Sequence, residues 1–284
     1  MEGIGAVLID IDGVLTVSWK ALPGTVEAMR RLRAAGLPLA LVTNTTSRTR
    51  AVIAGRLAGE GFPVGPDDIL TAPAVTAAYL REHHPDACCL LISSGDVRDD
   101  LEGVRIVGTA DATDPTETAG AGAGGDGGGD GDAKQAAPDV VVLGGAGEEF
   151  GYPALNAAFR HLQRGARLIA MHRNLYWRTA GGLDLDTGAF LLGLERAARV
   201  EAVVTGKPAA TFFATALAHL GADPSETLMV GDDIESDVLA AQRCGITGVL
   251  VKTGKYLPET HRAADGTPDH VLDSFADLPA LLAR

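Results

Sequence analysis

An alternation along the chain narrows the fold more than any other feature. Short apolar runs at residues 6–9, 37–42, 202–204, 227–230 and 248–251 read as buried strands. Between them, residues 25–35, 48–58, 209–220 and 235–244 carry apolar side chains at helical spacing. Strands joined by helical crossovers build a parallel sheet covered on both faces. A second alternation occupies the middle of the chain, with helical patterns at 75–82 and 152–164 and strand-like runs at 87–92, 140–143 and 167–171. The expected architecture is therefore α/β in two units. One is discontinuous, residues 1–72 and 187–284, and the other is inserted between its halves as residues 73–186.

Residues 111–138 break the pattern, being mostly Gly, Ala, Asp and Thr. Such a stretch buries too little apolar area to offset its ordering entropy, so a flexible loop in the inserted unit is expected. A phosphate-cradling glycine loop is disfavoured, because no strand leads directly into it and no Lys-Ser or Lys-Thr follows it.

The formal net charge is −13 and hydrophobic residues make up 46% of the 284. An acidic surface argues against non-specific nucleic-acid binding and against anionic membranes, though one cationic pocket can still take an anionic substrate. Cys88, Cys89 and Cys244 are odd in number and lack metal-ligand spacing, which fits buried thiols in a reducing, cytoplasmic setting. The first residues lack the basic start and long apolar run of a signal peptide, and no run of about 18 apolar residues suggests a membrane span.

Four polar clusters each follow a strand candidate: Asp10-Ile11-Asp12-Gly13, Thr43-Asn44-Thr45, Gly206-Lys207-Pro208, and Gly231-Asp232-Asp233 continuing to Asp237. In an open parallel sheet, ligands bind beyond the carboxyl ends of the strands. Clusters more than 200 residues apart in sequence can therefore meet at one edge. Asp10 and Asp12, two apart, can point to the same side. Several carboxylates converging on one pocket repel each other unless a cation joins them, and hard oxygen ligands suit Mg²⁺. Lys207 and Thr43 would supply a cation and a hydroxyl to phosphate oxygens. An unrelated V-V-V-L-G-G-A-G run at 140–147 has the wrong spacing for a dinucleotide loop and reads as a strand and turn.

Taken together, D-x-D-G-V-L at 10–15, an apolar strand ending in Thr43, Lys207, and G-D-D-x-x-x-D ending in Asp237 resemble the four motifs of the haloacid dehalogenase (HAD) superfamily. Insertion of an α/β unit between the second and third motifs resembles the NagD-like and 4-nitrophenylphosphatase-like branch, subfamily IIA. The stretch Phe190 to Arg196 together with Val251-Lys252-Thr253-Gly254-Lys255-Tyr256 is similar to the subgroup of phospholysine phosphohistidine inorganic pyrophosphate phosphatases.

The resemblance implies a Rossmann-like core with a C2-type α/β cap, and a Mg²⁺-dependent phosphatase of small-molecule phosphate esters. It implies Asp10 as nucleophile forming an aspartyl-phosphate, and Asp12 as the acid and then base. Thr43, Asn44 and Lys207 would bind phosphate. Asp10, Asp232 and the backbone carbonyl of Asp12 would hold the metal, supported by Asp233, while Asp237 is expected to brace a loop. A homodimer joined through the cap is a further implication. In the cap, His172, Asn174, Trp177 and Arg178 are candidates for substrate selection, although this branch often has Thr-Asn where His172 follows Met171. Asp184 and Asp186 are expected in a hinge turn between cap and core. The alternatives are a phosphotransferase on the same fold and a non-catalytic phosphate-binding regulator. A dehalogenase is disfavoured by Asp12, since halide loss needs no acid for the leaving group.

Overall fold

A computed structural model of the chain describes residues 3–108, 137–179 and 182–283, with the side chains of Arg178 and Thr179 outside that description. Strand Ala6–Asp10 is buried over its whole length. Its period-two alternation sends side chains to two different cores. Val7 and Ile9 pack on one face with Met29, Ile53, Leu57 and Phe275, while Leu8 packs on the other with Phe212, Phe213 and Met229. Burial on both faces is what a continuous apolar strand requires.

The strand lies inside a six-stranded sheet in the order His270–Leu272, Thr247–Val251, Thr227–Gly231, Ala6–Asp10, Leu39–Thr43, Ile69–Thr71. Every neighbouring pair is parallel. Asp10 is in register with Val42, so its carboxylate leaves the sheet beside Thr43.

A second parallel sheet of five strands runs Val203–Val204, Arg167–Ala170, Val140–Leu143, Cys88–Ile92, Arg105–Val107. Helix Ala72–His83 covers one face through Ala77 and Leu80. Helices Tyr152–Gln163 and Thr187–Ala198 cover the other through Leu162, Leu191 and Leu194.

The second sheet gathers elements from beyond residue 186. Both the helix Thr187–Ala198 and the strand Val203–Val204 pack with it. Two β-branched residues state that a strand is present, but not which sheet will pair with it.

Asp184 and Asp186 do not form the expected hinge turn. Asp184 sits in strand Gly182–Leu185, which pairs antiparallel with Tyr176–Thr179. The Asp186 carboxylate accepts from the Thr187 amide at 2.8 Å and caps the following helix. The helix expected at 235–244 opens as a wide turn over Ile234–Leu239 before tightening at Ala240–Arg243. Of the stretch 111–138, all but Ala137 and Pro138 lies outside the described residues.

The carboxyl ends of the two sheets approach each other around residues 43–48. A Cβ on Gly95 would strike the Ser47 backbone, and one on Gly145 would strike the Thr46 hydroxyl. Nearby, the buried Asp100 accepts from the Arg50 amide at 3.0 Å and the Thr71 hydroxyl at 3.1 Å, tying the second unit to the first.

Candidate active site

Asp10 and Lys207 are both buried, at 6% and 5% exposure. The Lys207 ammonium donates to Asp10 Oδ1 and to Asp237 Oδ1, each at 2.6 Å. Burial alone would drive the proton off this lysine, but Asp10 and Asp237 outweigh it and hold the charge. Lys207 arrives from the end of strand Val203–Val204, so the second sheet delivers the cation that pairs with the nucleophile candidate of the first. Asn44 fixes that delivery. Its side-chain amide donates to the Lys207 carbonyl and its Oδ1 accepts from the Lys207 amide, both at 2.8 Å. Both polar atoms of the Asn44 side chain are thus engaged by the Lys207 backbone.

The Thr43 hydroxyl is buried, accepts from the Thr45 amide at 3.1 Å, and shares a hydrogen bond of 3.0 Å with the Thr45 hydroxyl in which either group can donate. Asp232 follows strand Thr227–Gly231, which pairs directly with Ala6–Asp10. One of its oxygens, Oδ2, accepts from the Lys255 amide at 2.6 Å. Gly13 and Gly254, at φ +92° and +59°, close over the same oxygen, and a Cβ on either would occupy its place. The other oxygen, Oδ1, is buried with no hydrogen-bond partner.

Carboxylate oxygens of Asp10, Asp232 and Asp237 lie within 4.8 Å of one another. Burial, followed by repulsion from Asp10 and Asp237, pushes the Asp232 carboxyl up to about 7. Burial also pushes Asp237 up to about 6, with Lys207 opposing it. A buried, unpartnered carboxylate oxygen beside two more carboxylates fits a divalent cation, with Asp10 and Asp232 as the available donors. Asp237 accepts from the Lys207 ammonium and, at 3.3 Å, from the Asp233 amide of the preceding loop. Asp233 caps the wide turn, accepting from the amides of Glu235 and Ser236.

Asp12 stands apart from the trio in the open mouth of the cleft. Desolvation by the crowded walls raises its pKa, opposed by Lys255, Lys207 and Arg48. Lys255 and Arg48 were absent from the sequence expectations. The Lys255 backbone holds Asp232, and its ammonium, although crowding works against the charge, is kept protonated by Asp10, Asp232, Asp237 and Asp233. The V-K-T-G-K-Y run was the available signal for Lys255. Nothing in the sequence pointed to Arg48.

The cap candidates are not joined to this cluster. His172 is 2% exposed, accepts from the Asn174 amide through Nδ1 at 3.3 Å, and faces Asp186 with Nε2 at 3.8 Å. Burial lowers its pKa, with Asp186 partly opposing, so the ring braces the loop as a neutral group. Asn174 is exposed, and its carbonyl accepts from Gly188. Trp177 lies in the antiparallel hairpin. The side chain of Arg178 lies outside the described residues.

The profile of haloacid dehalogenase-like hydrolases matches residues 7–107, and a HAD-hydrolase-like profile matches 204–278. A haloacid dehalogenase-like hydrolase domain-containing protein 2 from Bos taurus is 38% identical over 93% of this chain and 88% of its own length. The chain belongs to the haloacid dehalogenase-like hydrolase family. Within that family, a phospholysine phosphohistidine inorganic pyrophosphate phosphatase from Xenopus laevis is 34% identical over 99% of this chain and 95% of its own. The p-nitrophenyl phosphatase of Archaeoglobus fulgidus superposes with a TM-score of 0.83 at 27% identity, covering 98% of this chain and 99% of that one. NagD from E. coli K-12 does so with a TM-score of 0.80 at 26% identity, covering 96% and 98%. The NagD-like branch is thus the part of the HAD family to which the chain is assigned.

Proposed function

We propose that the protein is a Mg²⁺-dependent phosphatase that hydrolyses small-molecule phosphate esters through an aspartyl-phosphate on Asp10. One observation carries this reading: a buried lysine pinned between Asp10 and Asp237, beside a carboxylate oxygen of Asp232 that has no partner. The names of the phosphatase relatives support it.

In this reading Lys207 orients the Asp10 carboxylate for attack on phosphorus. The Asp10 oxygen–phosphorus bond forms as the ester oxygen–phosphorus bond breaks, and Asp12 gives its proton to the departing oxygen. The raised pKa of Asp12 supports its holding that proton beforehand. In the second step water attacks phosphorus and gives a proton to Asp12 as the Asp10 oxygen–phosphorus bond breaks, releasing inorganic phosphate and restoring the Asp10 carboxylate. Thr43 donates its hydroxyl proton to a phosphoryl oxygen, and Lys207 offsets the charge on the transferring group. A divalent cation held by Asp10, Asp232 and the Asp12 carbonyl would neutralise phosphoryl oxygens during transfer. The unit carrying the second sheet serves as the cap, excluding water while Lys207 is presented from its last strand.

The test is hydrolysis of 4-nitrophenyl phosphate with and without Mg²⁺, in wild type and Asp10→Asn. The variant is expected to lose at least about a thousandfold in kcat and to trap no acid-stable phosphate on the chain. Near-normal turnover in Asp10→Asn would sink the mechanism.

A further inference from the structure

The sequence directed attention to the cap for substrate selection, but a cation of the first unit, Arg48, is tied through Trp19 to the Asp12 loop. Strands Thr16–Val17 and Lys20–Ala21 pair antiparallel across a turn made by Ser18 and Trp19. Both turn residues are left-handed, at φ 49° and 64°. Turns of this hand match strand twist but favour Gly and Asn, so two L residues with side chains store strain here. The hairpin grows directly from the catalytic loop, where Asp12 bridges to Thr16.

What the strained turn places is an indole. Trp19 packs partly into the main core, with the Arg48 guanidinium carbon 5.4 Å and that of Arg56 4.9 Å from its ring centroid. Arg48 comes from the loop that follows Thr43 and is half-buried. Among the described residues no carboxylate lies within 4.0 Å of it, and its one hydrogen bond is a long contact of 3.4 Å from Nη1 to Ser47 Oγ. A cation–π contact uses the charge of a guanidinium without consuming its N–H donors. A half-buried cation without an anion, in a chain of net charge −13, marks a position that an outside anion can fill.

The side of the cleft is set by Asp12. Arg48 lies against Trp19, whose hairpin joins the Asp12 loop through the Asp12–Thr16 bridge, while Lys207 pairs with Asp10 on the phosphoryl side. Arg48 therefore flanks the leaving-group half of the substrate. We propose that Arg48, set against the Trp19 ring, binds a carboxylate on the leaving group, so that the enzyme selects phosphate monoesters of carboxylate-bearing alcohols or phenols. A carboxylate matches the two-pronged edge of a guanidinium. The assignment of the leaving-group side rests on the phosphatase reading above.

Binding separates the two questions. With Mg²⁺ present, 4-carboxybenzylphosphonate and 4-carbamoylbenzylphosphonate, near-isosteric and differing by one charge, are titrated calorimetrically into wild type, Arg48→Gln, Arg48→Lys and Lys255→Gln. Wild type is expected to bind the carboxylate about tenfold or more tighter than the amide. Arg48→Gln should bring the ratio near one, Arg48→Lys should restore part of it, and Lys255→Gln should keep most of it. Circular dichroism confirms that each variant is folded. A wild-type ratio near one, binding of neither phosphonate, a ratio preserved in Arg48→Gln, or a ratio lost in Lys255→Gln alone overturns the proposal. Failure of the phosphatase reading shows elsewhere, as absent ester hydrolysis or as turnover that survives Asp10→Asn.

Discussion

Two short hairpins, at residues 16–21 and 176–185, each carry a tryptophan, and they hold it in opposite ways. Trp19 is partly buried, stacked by two arginines, and joined through its strand to the Asp12 loop. Trp177 is 52% exposed beside the exposed Tyr176, Leu183 and Leu185. In sequence Trp177 has the more functional surroundings, because aromatic and basic residues alternate around it. In space it is Trp19 whose neighbours fix the ring relative to the acidic cluster. An aromatic-basic run is informative about a site only when backbone pairing ties it to the chemistry, and sequence proximity does not report that tie.

The strongest way to break the contrast is at Lys207, where both units meet. Replacing Lys207 with Met leaves Asp10 and Asp237 buried without their cation. A loss of about 3–5 kcal/mol in denaturant unfolding is expected, with kcat/KM reduced at least about a hundredfold. A stable, active variant would show that the two units are not coupled through this residue.

His172 tests the cap side from within. His172→Ala removes a buried brace and should cost about 1–3 kcal/mol in stability. It should shift KM for different phosphate esters by a common factor, because both ring nitrogens are turned to Asn174 and Asp186 within the loop. A change in the order of substrate preference would restore His172 to the selecting residues.

A smaller, reversible effect follows from the acidic trio. Asp232 at about 7 and Asp237 at about 6 both lie above the ordinary 3.8, so the folded chain without metal holds protons that the unfolded chain releases. Stability of the metal-free protein should therefore fall as pH rises from about 4 to about 7. Mg²⁺ replaces those protons, so its stabilisation should be larger at pH 8 than at pH 5, read as the rise in Tm on adding the ion. An equal shift at both pH values would count against the trio as the binding site.

The smallest effect is expected at the exposed hairpin. Trp177→Ala should alter unfolding free energy by no more than about 0.5 kcal/mol, since a half-exposed ring loses little on removal. A larger loss would mean that this tryptophan, like Trp19, is held by the fold.

Asp10, Thr43, Lys207 and Asp232 were legible as a site because each follows an apolar strand, and parallel strands put their carboxyl ends at one edge. That inference needs only periodicity and residue chemistry. The alternating burial of residues 6–10 on two faces was legible on the same ground. By contrast, Val203–Val204 could have joined either sheet, and only packing beside Arg167–Ala170 decided it. The use of Asn44 to clamp the Lys207 backbone, the closing of Gly13 and Gly254 over Asp232, and the placement of Arg48 over Trp19 were decided there too. Local sequence sets which groups a chain can offer and the period at which it offers them. Which atom each group spends its hydrogen bonds or its charge on depends on distances between segments remote in sequence, and those exist only once both sheets have folded.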